Sequence, residues 1–292
     1  MYQDTRKDFR KKVFEMMKIV MIHGQSHEGS TCMVARELAD KVGGEVQEFF
    51  LPRDFARPCC GCFTCFKTDL SKCPHFKELE PLERAILDAD LLILDSPVYV
   101  YHATGQMMSF LDHFGTWWVV HRPMPEMSRK QAVAISTAAG GGMKSTVRDM
   151  ADSLEMWGIH KVYKLGVGVQ AAKPEEIPAG IMKNIHRKTD RLASQIQKNA
   201  GARVQWQGKD VVLHHAFRSQ VFPTHGTGLW ILGGMGLAWE QQTVGSVMPM
   251  KISLNLPGHS VPNTSNCEEY LYETENRKNN ITRKPGSSAF YL

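Results

Sequence analysis

The chain lacks a long apolar segment. A membrane-spanning helix needs about 20 consecutive apolar residues, and no run within these 292 residues approaches that length. Basic residues precede an apolar run near the N-terminus, as they do in a secretory signal. Glu15 and Lys18 interrupt that run, however, and no small-residue cleavage site follows it. The sequence therefore predicts a cytoplasmic protein with no membrane partner.

Strong charge of either sign is also missing. The 35 Lys and Arg residues outnumber the 30 Asp and Glu residues and give a formal net charge of +5 at pH 7. This excess is too small to predict a nucleic-acid partner, although it favours an anionic ligand such as a nucleotide phosphate. The chain contains neither a Walker A motif nor GxGxxG, so the two commonest fingerprints of nucleotide loops do not apply.

A disulfide framework is not indicated by the cysteines. Their number is odd, seven, and their spacing along the chain is uneven. The cytoplasm also keeps thiols reduced. Five of the seven lie within residues 59–73, in the stretch "PCCGCFTCFKTDLSKCP". This crowding raises the alternative of a metal or cluster site, and a second alternative in which the thiols only line a loop.

Apolar and amphipathic segments alternate over residues 17–200. The segments predicted as strands are 18–24, 45–51, 91–100, 131–138 and 161–169, and those predicted as helices are 30–42, 81–90, 104–118, 145–158 and 173–200. Five strands alternating with helices favour parallel βαβ units in a doubly wound sheet. Such a sheet binds ligands at the carboxyl ends of its strands, where the strand order reverses.

The two ends of the chain do not follow this pattern. Residues 1–16 form a charged extension ahead of the first predicted strand. Beyond residue 200 the periodicity decays into Gly- and Met-rich sequence and then into a polar stretch. The sequence therefore predicts one domain over 17–200 and an irregular, partly disordered extension over 201–292.

The loop after the first strand, "HGQSHEGST", suits a phosphate. Ser26, Ser30 and Thr31 supply hydroxyls, His27 supplies a further donor, and the loop leads into a helix start. A helix N-terminus offers free N–H groups and the positive end of the helix dipole. The alternative is an ordinary turn in which Ser30 or Thr31 caps the helix.

Five segments, in order, resemble the flavodoxin-like NAD(P)H-dependent FMN reductase family and its relatives, the iron–sulfur flavoproteins. They are "KIVMIHGQSHEGST", "FFLPRDF", "CCGCFTC", "DADLLILDSPVYVYHATGQMMSFLDHF" and "AISTAAGGGMKS". The resemblance implies a three-layer αβα sandwich whose five-stranded parallel sheet has the order 2-1-3-4-5. It also implies an enzyme that passes a hydride from NAD(P)H through bound FMN to a small acceptor, such as a flavin or a quinone. Members of this family are usually dimers or larger homo-oligomers.

The resemblance also implies which loops hold FMN. Its phosphate would lie at Ser26, His27, Ser30 and Thr31, although this chain has Gln25-Ser26-His27 where many members have Ser-Pro-Arg. The residues implied for the ring are Pro97, Val98, Tyr99 and Val100 after the third strand, and Thr137, Ala138, Ala139, Gly140 and Gly141 after the fourth. The bland alternatives are the end of a buried strand for the first set and a flexible connector for the second. The cofactor carries the chemistry in such enzymes, so no catalytic side chain is predicted.

The cysteine loop leaves several interpretations open. Cys59, Cys62, Cys65 and Cys73 follow the spacing C-x2-C-x2-C-x7-C, which resembles the [4Fe–4S] motif of iron–sulfur flavoproteins, and Cys60 occupies a spacer position. A cluster would favour an electron carrier that exchanges electrons with a ferredoxin-like partner. Reduced thiols would favour the simple reductase. A zinc site or a redox disulfide is a further alternative, and structural zinc without flavin would indicate a non-catalytic module.

Overall fold

The computed structural model describes residues 17–120, 122, 124–171 and 173–200, together with the backbone of 230–232, 235–239 and 252–254. The predicted N-terminal extension, 1–16, and most of the predicted C-terminal extension, 201–292, lie outside the described residues. Among the described helices, none is both long enough and apolar enough to span a membrane.

Strands and helices alternate along the described chain as the sequence predicts. Their bounds are β1 Lys18–His23, α1 Ser30–Val42, β2 Glu45–Phe50, α2 Thr64–Lys67, α3 Phe76–Asp88, β3 Leu91–Asp95, α4 Gly105–Asp112, β4 Gln131–Ala138, α5 Met143–Met156, β5 Lys161–Gly168 and α6 Ala179–Asn199. Short 3-10 helices occupy Leu70–Lys72, His113–Trp117, Pro125–Arg129 and Pro174–Glu176.

All five of these strands pair in parallel, in the order β2-β1-β3-β4-β5. This is the flavodoxin-like order implied by the resemblance, and it is confirmed. The order reverses beside β1, because the chain adds β2 on one side and β3 on the other. The ends of β1 and β3 are aligned, because His23 lies opposite Asp95, whereas β4 continues for three residues beyond Ile135, which lies opposite Asp95. The loops that follow β1, β3 and β4 therefore all start at the same edge of the sheet.

Helices cover both faces of the sheet. On one face, α1 and α6 pack together over alternate strand residues such as Met21, Ile93 and Ile135, all of which are buried. The intervening strand residues are buried too, and α5 packs on β4 and β5 from that other side. Both faces of the central strands are thus apolar, which explains why these strands read as continuous hydrophobic runs rather than as alternating ones.

An aromatic cluster anchors the chain between α4 and the end of α5. The rings of Phe110, Phe114, Trp117 and Trp157 lie with centroids 4.5 to 5.2 Å apart, and all four side chains are buried. Large buried aromatic side chains contribute strongly to core stability because each removes a large apolar area from water. This cluster fixes the segment that follows β3.

The chain divides into two compact units. The first comprises Met1–Cys59 and Lys77–Phe222 and contains the parallel sheet, and the second comprises Cys60–Phe76 and Pro223–Leu292. Within the second unit, β6 Trp230–Leu232, β7 Met235–Trp239 and β8 Ile252–Leu254 form an antiparallel sheet in that order. The sequence predicts an irregular extension here, since these strands are short and lie in Gly-rich sequence without a clear period.

Four element boundaries differ from the sequence prediction by five or six residues. Helix α4 ends at Asp112 rather than at residue 118, and helix α6 begins at Ala179 rather than at residue 173. Strand β3 ends at Asp95 rather than at residue 100, because the chain turns away from the sheet beyond Ser96-Pro97. Helix α3 begins at Phe76, five residues before the predicted start, and Pro81 lies inside it. Helix α1 has Gly29 as its N-cap residue, so Ser30 and Thr31 lie within the first turn instead of capping it.

Candidate functional site

Three loops meet at the carboxyl ends of β1, β3 and β4. Backbone hydrogen bonds join them: Gly24 N donates to Asp95 O at 2.7 Å, and Val98 N donates to Thr137 O at 3.1 Å. The side chains of Thr31 and Thr137 add a third link, with 2.6 Å between their Oγ1 atoms. The structure therefore brings the three predicted sets of FMN residues to one edge of the sheet.

The first of these loops leads into an uncapped helix. Ser26 and His27 are exposed, whereas Ser30 and Thr31 are buried in the first turn of α1. No side chain caps this helix, and the buried Ser30 Oγ has no hydrogen-bond partner within the part of the chain that the structure describes. Uncommitted N–H groups and a buried, unpaired hydroxyl are features that an anionic ligand can satisfy.

The loop after β3 contains a tight, exposed turn. Tyr99 and His102 exchange backbone hydrogen bonds of 2.9 Å, and the two residues between them, Val100 and Tyr101, have φ angles of 49° and 65°. The side chains of Tyr99, Val100 and Tyr101 are 48%, 91% and 69% exposed. Of these, Tyr101 was missed by the sequence prediction, although the second tyrosine of "SPVYVY" was a visible signal. An exposed aromatic pair can stack on a planar ligand.

The loop after β4 contains one glycine that its surroundings require. Thr137 is buried, Ala138 is half-buried, and Ala139, Gly140 and Gly141 are exposed. Gly142, which was not predicted, has a φ of 93°, and a Cβ atom there would lie 2.6 Å from Val98 Cγ1. A Cβ at Gly140 would meet nothing within 4 Å. The close approach that the three glycines predict thus occurs at Gly142, against the loop that follows β3.

A buried ion pair lies beneath these loops, and the sequence analysis did not foresee it. His23 ends β1, Asp95 ends β3, both are fully buried, and 2.6 Å separates Nδ1 of the histidine from Oδ2 of the aspartate. The imidazole also stacks on Phe50 with ring centroids 4.3 Å apart. Each residue is the polar end of an apolar strand, and only the strand order makes them neighbours.

The two side chains change each other's pKa. Burial by itself lowers the pKa of His23, but the Asp95 carboxyl at 2.6 Å and the Cys32 thiol outweigh it and raise that pKa to about 10. Burial raises the pKa of the Asp95 carboxyl, and the contact with His23 opposes this rise. Both directions mean that the pair binds a proton more tightly than the separate side chains do.

Comparison with known protein families shows to which family the chain belongs. The model of the family described as NADPH-dependent FMN reductase matches residues 17–173, which is more than half of the chain. The chain belongs to the NADPH-dependent FMN reductase family. It is accordingly an oxidoreductase that depends on FMN.

Relatives of this FMN reductase family member include two archaeal proteins. An iron-sulfur flavoprotein of Archaeoglobus fulgidus is 29% identical over 173 residues, which cover 59% of this chain and 73% of that protein. An iron-sulfur flavoprotein of Methanocaldococcus jannaschii is 27% identical over 143 residues, which cover 46% of this chain and 69% of that one. Among solved structures, a flavone reductase aligns with a TM-score of 0.48 and 16% identity over 94% of this chain and 100% of that chain.

The residues at the strand ends fit FMN. The uncapped start of α1 and the unpaired Ser30 Oγ suit a phosphate. The exposed Tyr99 and Tyr101 suit a planar ring. The roles of the individual residues remain predictions.

The cysteine loop offers no comparable fit to a cluster. Cys59 is exposed, while Cys62, Cys65 and Cys73 are half-buried. Among the described residues, no three His, Cys, Asp or Glu side chains are grouped so as to hold a metal ion. Cys60, which occupies a spacer position of the motif, is disulfide-bonded. The four-cysteine metal site therefore stays a prediction, and we derive no chemical step from it.

Proposed function

We propose that this chain catalyses hydride transfer from NAD(P)H to a small electron acceptor, such as free flavin or a quinone, with FMN held by the loops after β1, β3 and β4. The observation that carries this proposal is the start of α1, beside three neighbouring strand ends. No side chain caps this helix, and the buried Ser30 hydroxyl has no hydrogen-bond partner among the described residues. Bound FMN supplies the hydride-accepting and hydride-donating chemistry. The protein has to bind, orient and shield it.

Each loop has a separate task in this proposal. Ser30 and the N–H groups of the first turn of α1 bind the phosphate, and the exposed Ser26 and His27 contact it from the solvent side. Thr137, Ala138, Ala139, Gly140 and Gly141 border the ring, and Thr137 also fixes Thr31 through their 2.6 Å contact.

The loop after β3 contributes the wall for the ring, through Pro97, Val98, Tyr99 and Val100. The N–H groups of Val98 and Tyr99 already donate to Thr137 O and His102 O. Among the described residues, those of Val100 and of its neighbour Tyr101 have no backbone acceptor. They are therefore the donors that remain for the polar edge of the ring.

The remaining assignments belong to the same proposal. Residues 17–200 form the FMN-binding domain, flanked by the extensions 1–16 and 201–292. The protein acts in the cytoplasm as a homo-oligomer, with a dimer as the simplest form. Its partners are small electron acceptors rather than nucleic acid or membrane.

Flavin titration tests the phosphate site directly. FMN and riboflavin differ only in the phosphate, so fluorescence quenching should show tighter binding of FMN. A hydrogen bond to a charged group contributes about 1.5–3 kcal/mol, so Ser30→Ala should weaken FMN binding by roughly 10-fold to 100-fold and leave riboflavin binding unchanged. Ser194→Ala is the matched control, because Ser194 lies on α6 and its hydroxyl bonds only within that helix. Equal affinity for both flavins, or no binding of either, would contradict the proposal.

Anaerobic mixing tests the donor. Addition of NADH or NADPH to the FMN-loaded protein should bleach the flavin absorption band at a rate close to that of steady-state turnover. The nucleotide that reduces the flavin faster is the physiological donor. Absence of bleaching by both nucleotides, with reduction by a ferredoxin-like protein instead, would replace the reductase with an electron carrier.

The electron carrier is the second candidate, and the two relatives called iron-sulfur flavoproteins favour it. In this case a [4Fe–4S] cluster would be bound by Cys59, Cys62, Cys65 and Cys73. Iron and acid-labile sulfide in anaerobically purified protein, lost in Cys65→Ser, would support it. Zinc in place of iron would assign the loop a structural role, and protein without metal would leave the simple reductase.

A further inference from the structure

The turn after β3 adopts a conformation that its own residues disfavour. Two-residue turns with positive φ at both central positions strongly prefer Asn and Gly. This turn has Val100 and Tyr101 there, with φ angles of 49° and 65°. A β-branched residue in the left-handed region is a conformational outlier, and such strain persists only where the surrounding structure imposes it. Other groups of the protein must therefore hold Val100 and Tyr101 at these φ angles.

Helix α5 supplies those groups from one face. Asp149 Oδ2 accepts hydrogen bonds from His102 Nδ1 and from Ala103 N, both at 3.1 Å. Ser145 Oγ donates to Tyr101 O. Ser145 and Asp149 are four residues apart, so they lie one turn apart on the same side of the helix. Together they hold the middle and the end of the turn, while Val98 N, bonded to Thr137 O, holds its start.

The burial of these groups matches a supporting role. The Asp149 side chain is 19% exposed, whereas the His102 side chain that it contacts is 67% exposed. The turn therefore projects into solvent from a partly buried anchor. Packing does not fix Val100, which is 91% exposed, although Gly142 lies close to Tyr101. The hydrogen bonds from α5 are therefore the polar contacts that hold the backbone of the turn.

We propose that Asp149 and Ser145 are positioning residues that hold the Tyr99–His102 turn in its strained conformation, so that Tyr99 and the N–H groups of Val100 and Tyr101 are preorganised for the flavin ring. The inference rests on the proposed FMN site and adds two residues, on an element outside its three loops, to it. Preorganisation raises affinity by removing the cost of ordering the turn on binding.

The test compares Asp149→Ala with Asp152→Ala. Asp152 lies on the same helix, is exposed and makes no described ion pair, so it controls for loss of an acidic residue from α5. Fluorescence quenching gives the affinities for FMN and riboflavin, and spectroelectrochemistry gives the midpoint potential of the bound flavin. Loss of two hydrogen bonds should weaken the binding of both flavins by roughly 10-fold. The factor should be equal for FMN and riboflavin, because the turn contacts the ring rather than the phosphate.

The midpoint potential and two further variants distinguish a positioning role of Asp149 from a role in stability alone. The midpoint potential should shift in Asp149→Ala, since the N–H donors near the ring move, whereas mere loss of stability would leave it unchanged. Asp149→Asn keeps one acceptor oxygen and should restore part of the affinity. Ser145→Ala removes only the bond to Tyr101 O and serves as the second variant if Asp149→Ala does not fold.

The outcomes distinguish this inference from the function on which it rests. If the wild type binds both flavins, and Asp149→Ala and Ser145→Ala match Asp152→Ala in affinity and potential, the inference is overturned and the FMN site stands. If the wild type binds neither flavin, the proposed function fails and the inference fails with it. Equal losses for both flavins, with a shifted potential, support both.

Discussion

Replacing Asp95 with Asn should cost this protein a large part of its stability, because it removes one partner of a fully buried ion pair. His23 Nδ1 lies 2.6 Å from Asp95 Oδ2, and neither side chain reaches solvent. Asn has nearly the volume and shape of Asp, so the substitution changes the charge while it leaves the packing of the strand ends in place. The prediction therefore isolates the electrostatic part of the contact.

The magnitude follows from the burial of both charges. Breaking a buried ion pair by removing one partner typically costs about 3–5 kcal/mol, because the remaining charge stays buried without compensation. We therefore expect Asp95→Asn and His23→Gln each to lower the free energy of unfolding by about 3–5 kcal/mol at pH 6.

The pair also predicts a pH dependence of definite sign. In the folded chain, His23 holds its proton up to a pH of about 10, whereas an unfolded histidine loses it near pH 6.5. The stability contributed by the protonated His23 is fully present below pH 6.5 and is lost as the pH rises through about 10. As the pH rises from 6.5 to about 10, the free energy of unfolding of the wild type should therefore approach that of the double variant, which lacks both groups.

Urea unfolding of the wild type, the two single variants and the double variant provides the assay. Residues in direct contact are not additive, so the double variant should lose far less than the sum of the two single losses. The slope of the free energy with urea should stay constant, which shows that the same surface unfolds in all four proteins. Additive losses, or a stability difference that widens between pH 6.5 and 10, would refute the charged pair.

Two other predictions concern the loops above this pair. Gly142→Ala should lower the free energy of unfolding by about 1–3 kcal/mol, because its φ is 93° and the new Cβ would lie 2.6 Å from Val98 Cγ1. Urea unfolding measures this loss, and an unchanged urea midpoint would contradict the steric argument. Val100→Asn should raise the free energy of unfolding by about 1 kcal/mol, because Asn tolerates the left-handed region better than Val does. Thermal unfolding measures this gain, and a lower Tm would show that the turn is not strained.

The sequence predicted the bounds of four of the five parallel strands to within one residue. Strand β4, which is buried along nearly its whole length, was predicted with its observed bounds, and β1, β2 and β5 were predicted to within one residue. Strand β3 was predicted five residues too long. Its extension, "SPVYV", is as apolar as a strand, but Tyr99 and Val100 are exposed in a turn rather than buried in the sheet. An apolar run at a binding site and one in a core have the same composition.

The residue types at the strand ends indicated where the site lies, but they did not show which contact each residue makes in the folded chain. Ser30 was predicted either to cap α1 or to bind a phosphate, and the structure excludes the cap because Gly29 occupies that position. Three consecutive glycines predicted a close approach without showing which one makes it. That distinction depends on the side chain of Val98, which comes from another loop. Local sequence carries no information on such a contact.

The buried pair shows why strand order matters more to this site than any motif. His23 and Asp95 are 72 positions apart in the sequence, and each is the last residue of its observed strand. Parallel pairing of β1 with β3 places them opposite each other in register. The same pairing allows Gly24 N to bond to Asp95 O and Thr104 Oγ1 to bond to Gly24 O. The loops that would hold the phosphate and the ring are therefore connected through the ends of two strands.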